Sequence, residues 1–377
     1  MRLASQNENQ YEIDEIMHIP DGYLSPSTCA TLYLFTASVW YAALKRIKRV
    51  LATRAIPLIS VFAAFCFVVM MFNVPLPGGT TAHAVGVGIA TIVLGPWSSI
   101  LAISIALAIQ ALFFGDGGIT TLGANCFNMA IVGSFTAYVV YRMVAGNSNV
   151  KSRQRVLAAA VAGYAAINAS ALVTAFELGI QPMLFHDAGG TPLYAPYPLH
   201  VTVPAMMIGH LTFAGLAEAV ITAGMVSYLQ RADLGLLRGV GNLVQTQTPI
   251  AADEGAARSS GRLWWIVALL MFLAPLGILA AGTAWGEWSS ADLANPHMRK
   301  QIEAASGNHA PPSSVPAGLK SLSALWTAPF PGYAPRFVKS PAFGYFLSAM
   351  FGVGVVVLAS LLARVFARKW PIRKLGS

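Results

Sequence analysis

The sequence predicts an all-α, polytopic bundle of about nine transmembrane helices, with its N-terminus outside and its C-terminus cytoplasmic. Three observations carry this. The 377 residues are 56% apolar and only 10% charged, where a soluble domain carries about 25% charged residues. Long runs of Ala, Val, Ile, Leu, Gly and Met reach the roughly 20 residues that a helix needs to cross a hydrocarbon core about 30 Å thick. The basic residues also gather on alternate connections between those runs.

In chain order the runs fall at about 28–45, 55–73, 82–95, 97–114, 121–143, 156–179, 201–229, 262–283 and 341–363. The third and fourth are short and meet at Gly95-Pro96, as a tight helical hairpin or a partly re-entrant pair. Lys45, Arg46, Lys48, Arg49 and Arg54 follow the first run, and Arg142, Lys151, Arg153 and Arg155 the fifth. Arg231, Arg238, Arg258 and Arg262 follow the seventh, and Arg364, Arg368, Lys369, Arg373 and Lys374 occupy the tail. With nine spans and the first running inward, these eighteen of the 24 basic residues share one side, which the positive-inside rule makes cytoplasmic. The net charge of +9 is thereby assigned to the membrane and not to nucleic acid.

Residues 1–16 hold Glu8, Glu12, Asp14 and Glu15 against a single Arg2 and lack the apolar core of a secretory signal peptide. The segment at about 284–340 is an outer loop rich in Pro, Gly, Ser and Ala, and residues 231–261 form a polar cytoplasmic linker. No fixed-period repeat is present. Cys29, Cys66 and Cys126 lie in or beside apolar runs without CxxC spacing and are read as small core residues.

Enzyme signatures are absent: the chain has no HExxH, GxSxG or GxxxxGK[ST]. Without the last, phosphate cradling by a P-loop is unavailable, so any ATP hydrolysis belongs to another chain. The histidines are more informative. His18, His83, His186, His200, His297 and His309 fall on or near the outer face, and His210 lies within the seventh run. Imidazole suits late first-row cations, although a lone histidine is more often an ordinary loop residue. His18 sits in Met17-His18-Ile19-Pro20-Asp21-Gly22-Tyr23-Leu24-Ser25-Pro26, and His83 ends the loop that begins at Asn73-Val74-Pro75-Leu76-Pro77-Gly78-Gly79.

Both segments resemble the CbiM/NikM family, the substrate-binding (S) components of energy-coupling-factor importers for cobalt and nickel. So do Leu94-Gly95-Pro96-Trp97, the run Gln110 to Gly118 (QALFFGDGG), and Leu122 to Met129 (LGANCFNM). The resemblance spans about 17–230. Gly282 to Trp288 (GTAWGEW) and Gly344 to Gly352 (GYFLSAMFG) resemble a fused two-span partner, CbiN or NikN, over 262–377. Seven spans plus two agrees with the nine counted from the apolar runs.

The resemblance implies metal held by an N-terminal methionine amine, the amide nitrogen and imidazole of the next histidine, and a second imidazole. Matched by motif, these are Met17, His18 and His83. It further implies a separate membrane coupling (T) component and cytoplasmic ATPase subunits, in a bacterial inner membrane, with Ni2+ or Co2+ as transported substrate and no permanent cofactor. A planar nitrogen set leans towards Ni2+; the sequence leaves the choice between the two metals open. The amine exists only if Met17 is the first residue. Translation beginning there is the favoured explanation for the extra sixteen residues, ahead of cleavage or an altered site.

Other polar residues are weighed against structural roles. Ser25-Pro26 reads as a helix cap with proline at the first helical position, and Asp21-Gly22 as a turn fixing the metal-bearing tail. Asn125 and Asn128 are expected either to hydrogen-bond a liganding imidazole or to join helices. Asp116 is expected to shape its loop more than to steer cations. Glu177, His210 and Glu218 are ionisable groups at membrane depth. His210 and Glu218, eight residues apart, share roughly one helix face and are read first as an inter-helix polar contact, then as a metal pathway. His186, His200, His297 and His309 are preliminary collection sites or ordinary loop residues. Two rival functions stay open: a stand-alone secondary metal permease, and an intramembrane metalloenzyme.

Overall fold

The computed structural model describes residues 18–51, 55–76, 80–237, 254–280, 283–335 and 337–369. Ser25 opens the first helix as the sequence predicts: its Oγ accepts a hydrogen bond from the Thr28 amide at 3.1 Å, with Pro26 leading α1 (Pro26–Leu51). Then come α2 (Ala55–Met70), a hairpin of β1 (Asn73–Leu76) and β2 (Thr80–His83), α3 (Val87–Leu94) and α4 (Pro96–Ile109). A π-turn, Gln110–Phe114, extends α4. Another, Cys126–Val132, joins α5 (Leu122–Asn125) to α6 (Gly133–Ala145).

The chain returns through α7 (Arg153–Gly179) and α8 (Gln181–Leu184). It crosses again through α9 (Leu199–Gly209), a π-turn at His210–Ala214, and α10 (Gly215–Ala232). After α11 (Leu234–Leu237) come α12 (Glu254–Leu273) with a 3-10 turn, then three short helices, α13 (Ser290–Ala294), α14 (Pro296–Ala305) and α15 (Ala317–Leu322). The long α16 (Pro341–Lys369) ends the described chain.

The architecture is the predicted all-helical membrane bundle. Among the described residues six helices are long and apolar enough to cross, and Ile56–Met70 is a shorter apolar helix. Bulky apolar side chains such as Leu34, Phe35, Leu157, Phe176, Ile208, Val220, Trp265 and Leu358 remain exposed, as lipid-facing residues must.

One predicted span differs. Residues 82–95 do not form a single crossing helix, because 80–83 belong to β2 and the eight residues of α3 reach only about 12 Å. Gly95, at φ 77° and ψ 162°, takes a backbone conformation that side chains oppose. It folds α3 back on α4, with Thr91 Oγ1 3.1 Å from Ser99 Oγ.

The start of α3 is held by a carboxylate from another helix. Glu218 on α10 accepts hydrogen bonds from the amides of Val85 and Gly86 at 2.8 Å and of Gly88 at 3.0 Å. Three orphan donors are satisfied at once. A Cβ on Gly88 would lie 2.5 Å from Thr222 Oγ1, and one on Gly163 of α7 2.7 Å from the same atom, so small residues let α3, α7 and α10 approach closely.

Glu218→Ala would leave three buried N–H groups without partners. It is expected to cost about 3 kcal/mol or more, read as a lower Tm in detergent. A loss below about 1 kcal/mol would contradict this role.

The segment at 284–340 is more than a loop. Trp285, Trp288, Leu293, Ile302 and Leu319 bury themselves with Ile19, Tyr23 and Leu24 in a second apolar core. The Tyr23 hydroxyl donates to the Trp288 carbonyl at 2.7 Å. A Cβ on Gly22, whose φ is +91°, would stand 2.7 Å from Leu319 Cα. The segment forms a cap over the end of the bundle that holds residues 18–24.

Candidate metal centre

Residues 18–21 are threaded through a frame built by the loop after α4. Asn125 grips Ile19 twice, accepting from its amide and donating to its carbonyl, both at 3.1 Å. Thr121 Oγ1 and the Gly118 amide also donate to that carbonyl, at 2.5 and 3.0 Å. Asp21 accepts from the amides of Ile119 at 3.1 Å and Thr120 at 2.7 Å, and from the Thr120 hydroxyl, so it fixes the tail as predicted. Gly117 and Gly118 make room for this. Cβ atoms there would stand 2.9 Å from His18 Cβ and 2.4 Å from the Asp21 amide nitrogen.

This frame places His18 beside His83, at the end of β2. Their ring centroids are 5.2 Å apart, and both side chains are buried, 2% and 8% exposed. His18 Nδ1 lies 2.8 Å from Asp116 Oδ1. The other oxygen of Asp116 accepts from the Tyr333 hydroxyl at 2.6 Å and Gln110 Nε2 at 3.3 Å. His83 Nδ1 lies 3.0 Å from the Ala84 carbonyl. Carboxylate and carbonyl oxygens only accept, so Nδ1 donates in each ring. His18 Nε2 is buried and has no hydrogen-bond partner among the described residues.

Glu287, from the cap, is buried, and its Oε2 has no partner among the described residues; burial together with nearby Asp116 holds its carboxyl well above the usual range. Burial and Asp116 likewise raise the Tyr333 phenol well above its ordinary value, so it stays protonated and donates to Asp116 across the physiological range. Among the described residues no three His, Cys, Asp or Glu side chains cluster to hold a metal ion by themselves. Met17 lies outside the described residues.

Other candidates are placed differently from the first expectation. Neither asparagine reaches an imidazole: Asn125 holds the Ile19 backbone, and Asn128 donates to Glu177 at 2.7 Å and Thr174 at 3.0 Å, a contact between helices. His210 Nδ1 turns to its own helix, at the Met206 carbonyl, 2.9 Å away. It begins the π-turn, which disrupts the eight-residue register with Glu218. Glu218 makes the inter-helix contact by itself, at the start of α3. Asp116, expected to shape its loop, is the group that orients His18. Cys29, Cys66 and Cys126 are free and buried, as core residues should be.

A buried imidazole pair at one end of a membrane bundle suits a late first-row cation. Comparison with known proteins agrees. Residues 18–235 match CbiM, the cobalt uptake substrate-specific transmembrane region, and residues 261–369 match the PDGLE domain. The chain belongs to the CbiM/NikM family of nickel and cobalt transport proteins.

It is 51% identical over 341 residues to the fused nickel transport protein NikMN of Rhodobacter capsulatus, covering 90% of this chain and 95% of that one. It is 42% identical to the probable fused nickel transport protein LarMN of Lactiplantibacillus plantarum, over 79% of this chain and 85% of that one. A crystal structure of a truncated transition metal transporter superposes with TM-score 0.53 at 52% identity, over 56% of this chain and 98% of that one.

Proposed function

We propose that this chain is the metal-capturing subunit of an ATP-driven energy-coupling-factor importer, taking Ni2+ or Co2+ from the outer face. The observation that carries the reading is the buried pair His18 and His83, whose ring centroids lie 5.2 Å apart. The side is argued from charge. Arg46 stacks over Trp97 at 4.0 Å, Gln230 reaches the Val150 carbonyl at 2.7 Å, and Arg262 reaches that of Ala232 at 3.1 Å. Gln230 and Arg262 tie the end of α10 to the connections that carry Arg153, Arg155 and Arg262, and Lys and Arg favour the cytoplasm.

The ligands are the Met17 amine, the amide and imidazole of His18, and the imidazole of His83. A chelate through His18's own amide closes at Nδ1 as a six-membered ring. Nδ1 is the nitrogen bonded to Asp116, so capture turns the ring about Cβ–Cγ and exchanges that bond for metal. The four-nitrogen plane suits Ni2+, and the two fused relatives are named for nickel. Residues 17–230 hold the metal, 231–261 link the halves, and 262–377 cap and gate the site, while partner subunits supply coupling and ATP hydrolysis.

The test is uptake of Ni2+ by cells expressing the chain with and without its ATPase subunits. Uptake should collapse without them. Uptake at the full rate would instead identify a stand-alone permease.

A further inference from the structure

A second pair of imidazoles stands at the same end of the bundle, outside the capture site. His200 lies in the first turn of α9, and His309 follows α14 in the cap. Both are exposed, and their ring centroids are 5.7 Å apart at an interplanar angle of 67°. They line a cavity of about 340 Å³, together with Thr80, Trp285 and Ser306.

His309 is held in place. Its Nδ1 lies 2.9 Å from the Ser306 carbonyl, which can only accept, so Nε2 carries the lone pair that binds metal. The Tyr197 hydroxyl donates to the His309 carbonyl at 3.0 Å, tying the cap loop to the turn that precedes α9. Thr80 opens β2, the strand that ends at His83, and Ala284 bridges Thr81 from the cap. The cavity therefore borders the strand that carries a ligand of the capture site.

We propose that His200 and His309 form a weak landing site for a late first-row divalent cation on its way to His83 and His18. Two imidazoles with water filling the remaining positions bind such an ion less tightly than a full nitrogen set. A donor site that hands metal onward requires that weakness. One imidazole comes from each matched segment, so the site exists only while the cap is seated on the bundle. The proposal rests on the capture reading for its direction of transfer, and on the His200–His309 geometry for its existence.

The test is calorimetric titration of the full chain in detergent with Ni2+ alone. The wild type should show a tight event and a weaker second one. His200→Ala and His309→Ala should each weaken the second event at least about tenfold, as loss of even an outer partner of a metal ligand does. They should leave the tight event intact, which also reports that the fold survives. Loss of the tight event in His83→Ala, with the second event kept, separates the two sites. A second event that persists in the His200→Ala/His309→Ala double variant, or is missing from the wild type, overturns the landing site. A tight event that survives His83→Ala overturns the capture reading and leaves the landing site judged by its own variants.

Discussion

His83→Ala is expected to strip the protein of tightly bound metal, weakening Ni2+ affinity by at least about a hundredfold. Losing an outer hydrogen-bond partner of a metal ligand already costs about 10–100-fold, and here a ligand itself is removed. The site offers no replacement, since no third metal-binding side chain clusters with the pair among the described residues. Metal content of the purified protein measures the effect. His186→Ala is the control, because that ring is exposed and lies beside the Asp187 carbonyl, 3.0 Å away. In the wild type, affinity should fall as pH drops, because protons compete for the same nitrogens. Retention of metal by His83→Ala would remove His83 from the site.

The second large effect concerns where the chain begins. If Met17 is the first residue of the working protein, Met17→Leu should abolish both protein and metal uptake in the host. Met1→Leu should leave both unchanged. The amine of Met17 is then a ligand, and a chain forced to start at Met1 should bind Ni2+ at least about tenfold more weakly for want of it, by the same reasoning from ligand loss. N-terminal sequencing of protein from host membranes checks the assignment. Uptake that depends on Met1 and tolerates Met17→Leu would leave His18 and His83 without the amine.

Much of this was legible in the sequence because the physics is local. Apolar runs of membrane length mark helices, Ser25-Pro26 marks the start of α1, and the histidine segments carry a family pattern. What escaped depends on partners far apart in the chain. Asp116 is 98 residues from His18, and nothing in its Gly-Asp-Gly-Gly turn announces an imidazole. Tyr333, a further 217 residues on, and Glu287 sit in a stretch whose Pro and Gly content reads as loop, yet its Trp and Leu residues pack it against Tyr23 and Leu24. His210 and Glu218 were paired by counting helical turns, a count that fails at a π-turn. Glu218 found instead the exposed amides at the start of α3, which spacing along one helix cannot show.

The most direct test of the central claim is X-ray absorption at the nickel edge of the Ni2+-loaded full chain. The account predicts a planar first shell of nitrogens that includes imidazole and contains no sulfur, lost in His83→Ala. An octahedral shell of oxygens, or an imidazole signature that outlasts removal of both His18 and His83, would contradict it.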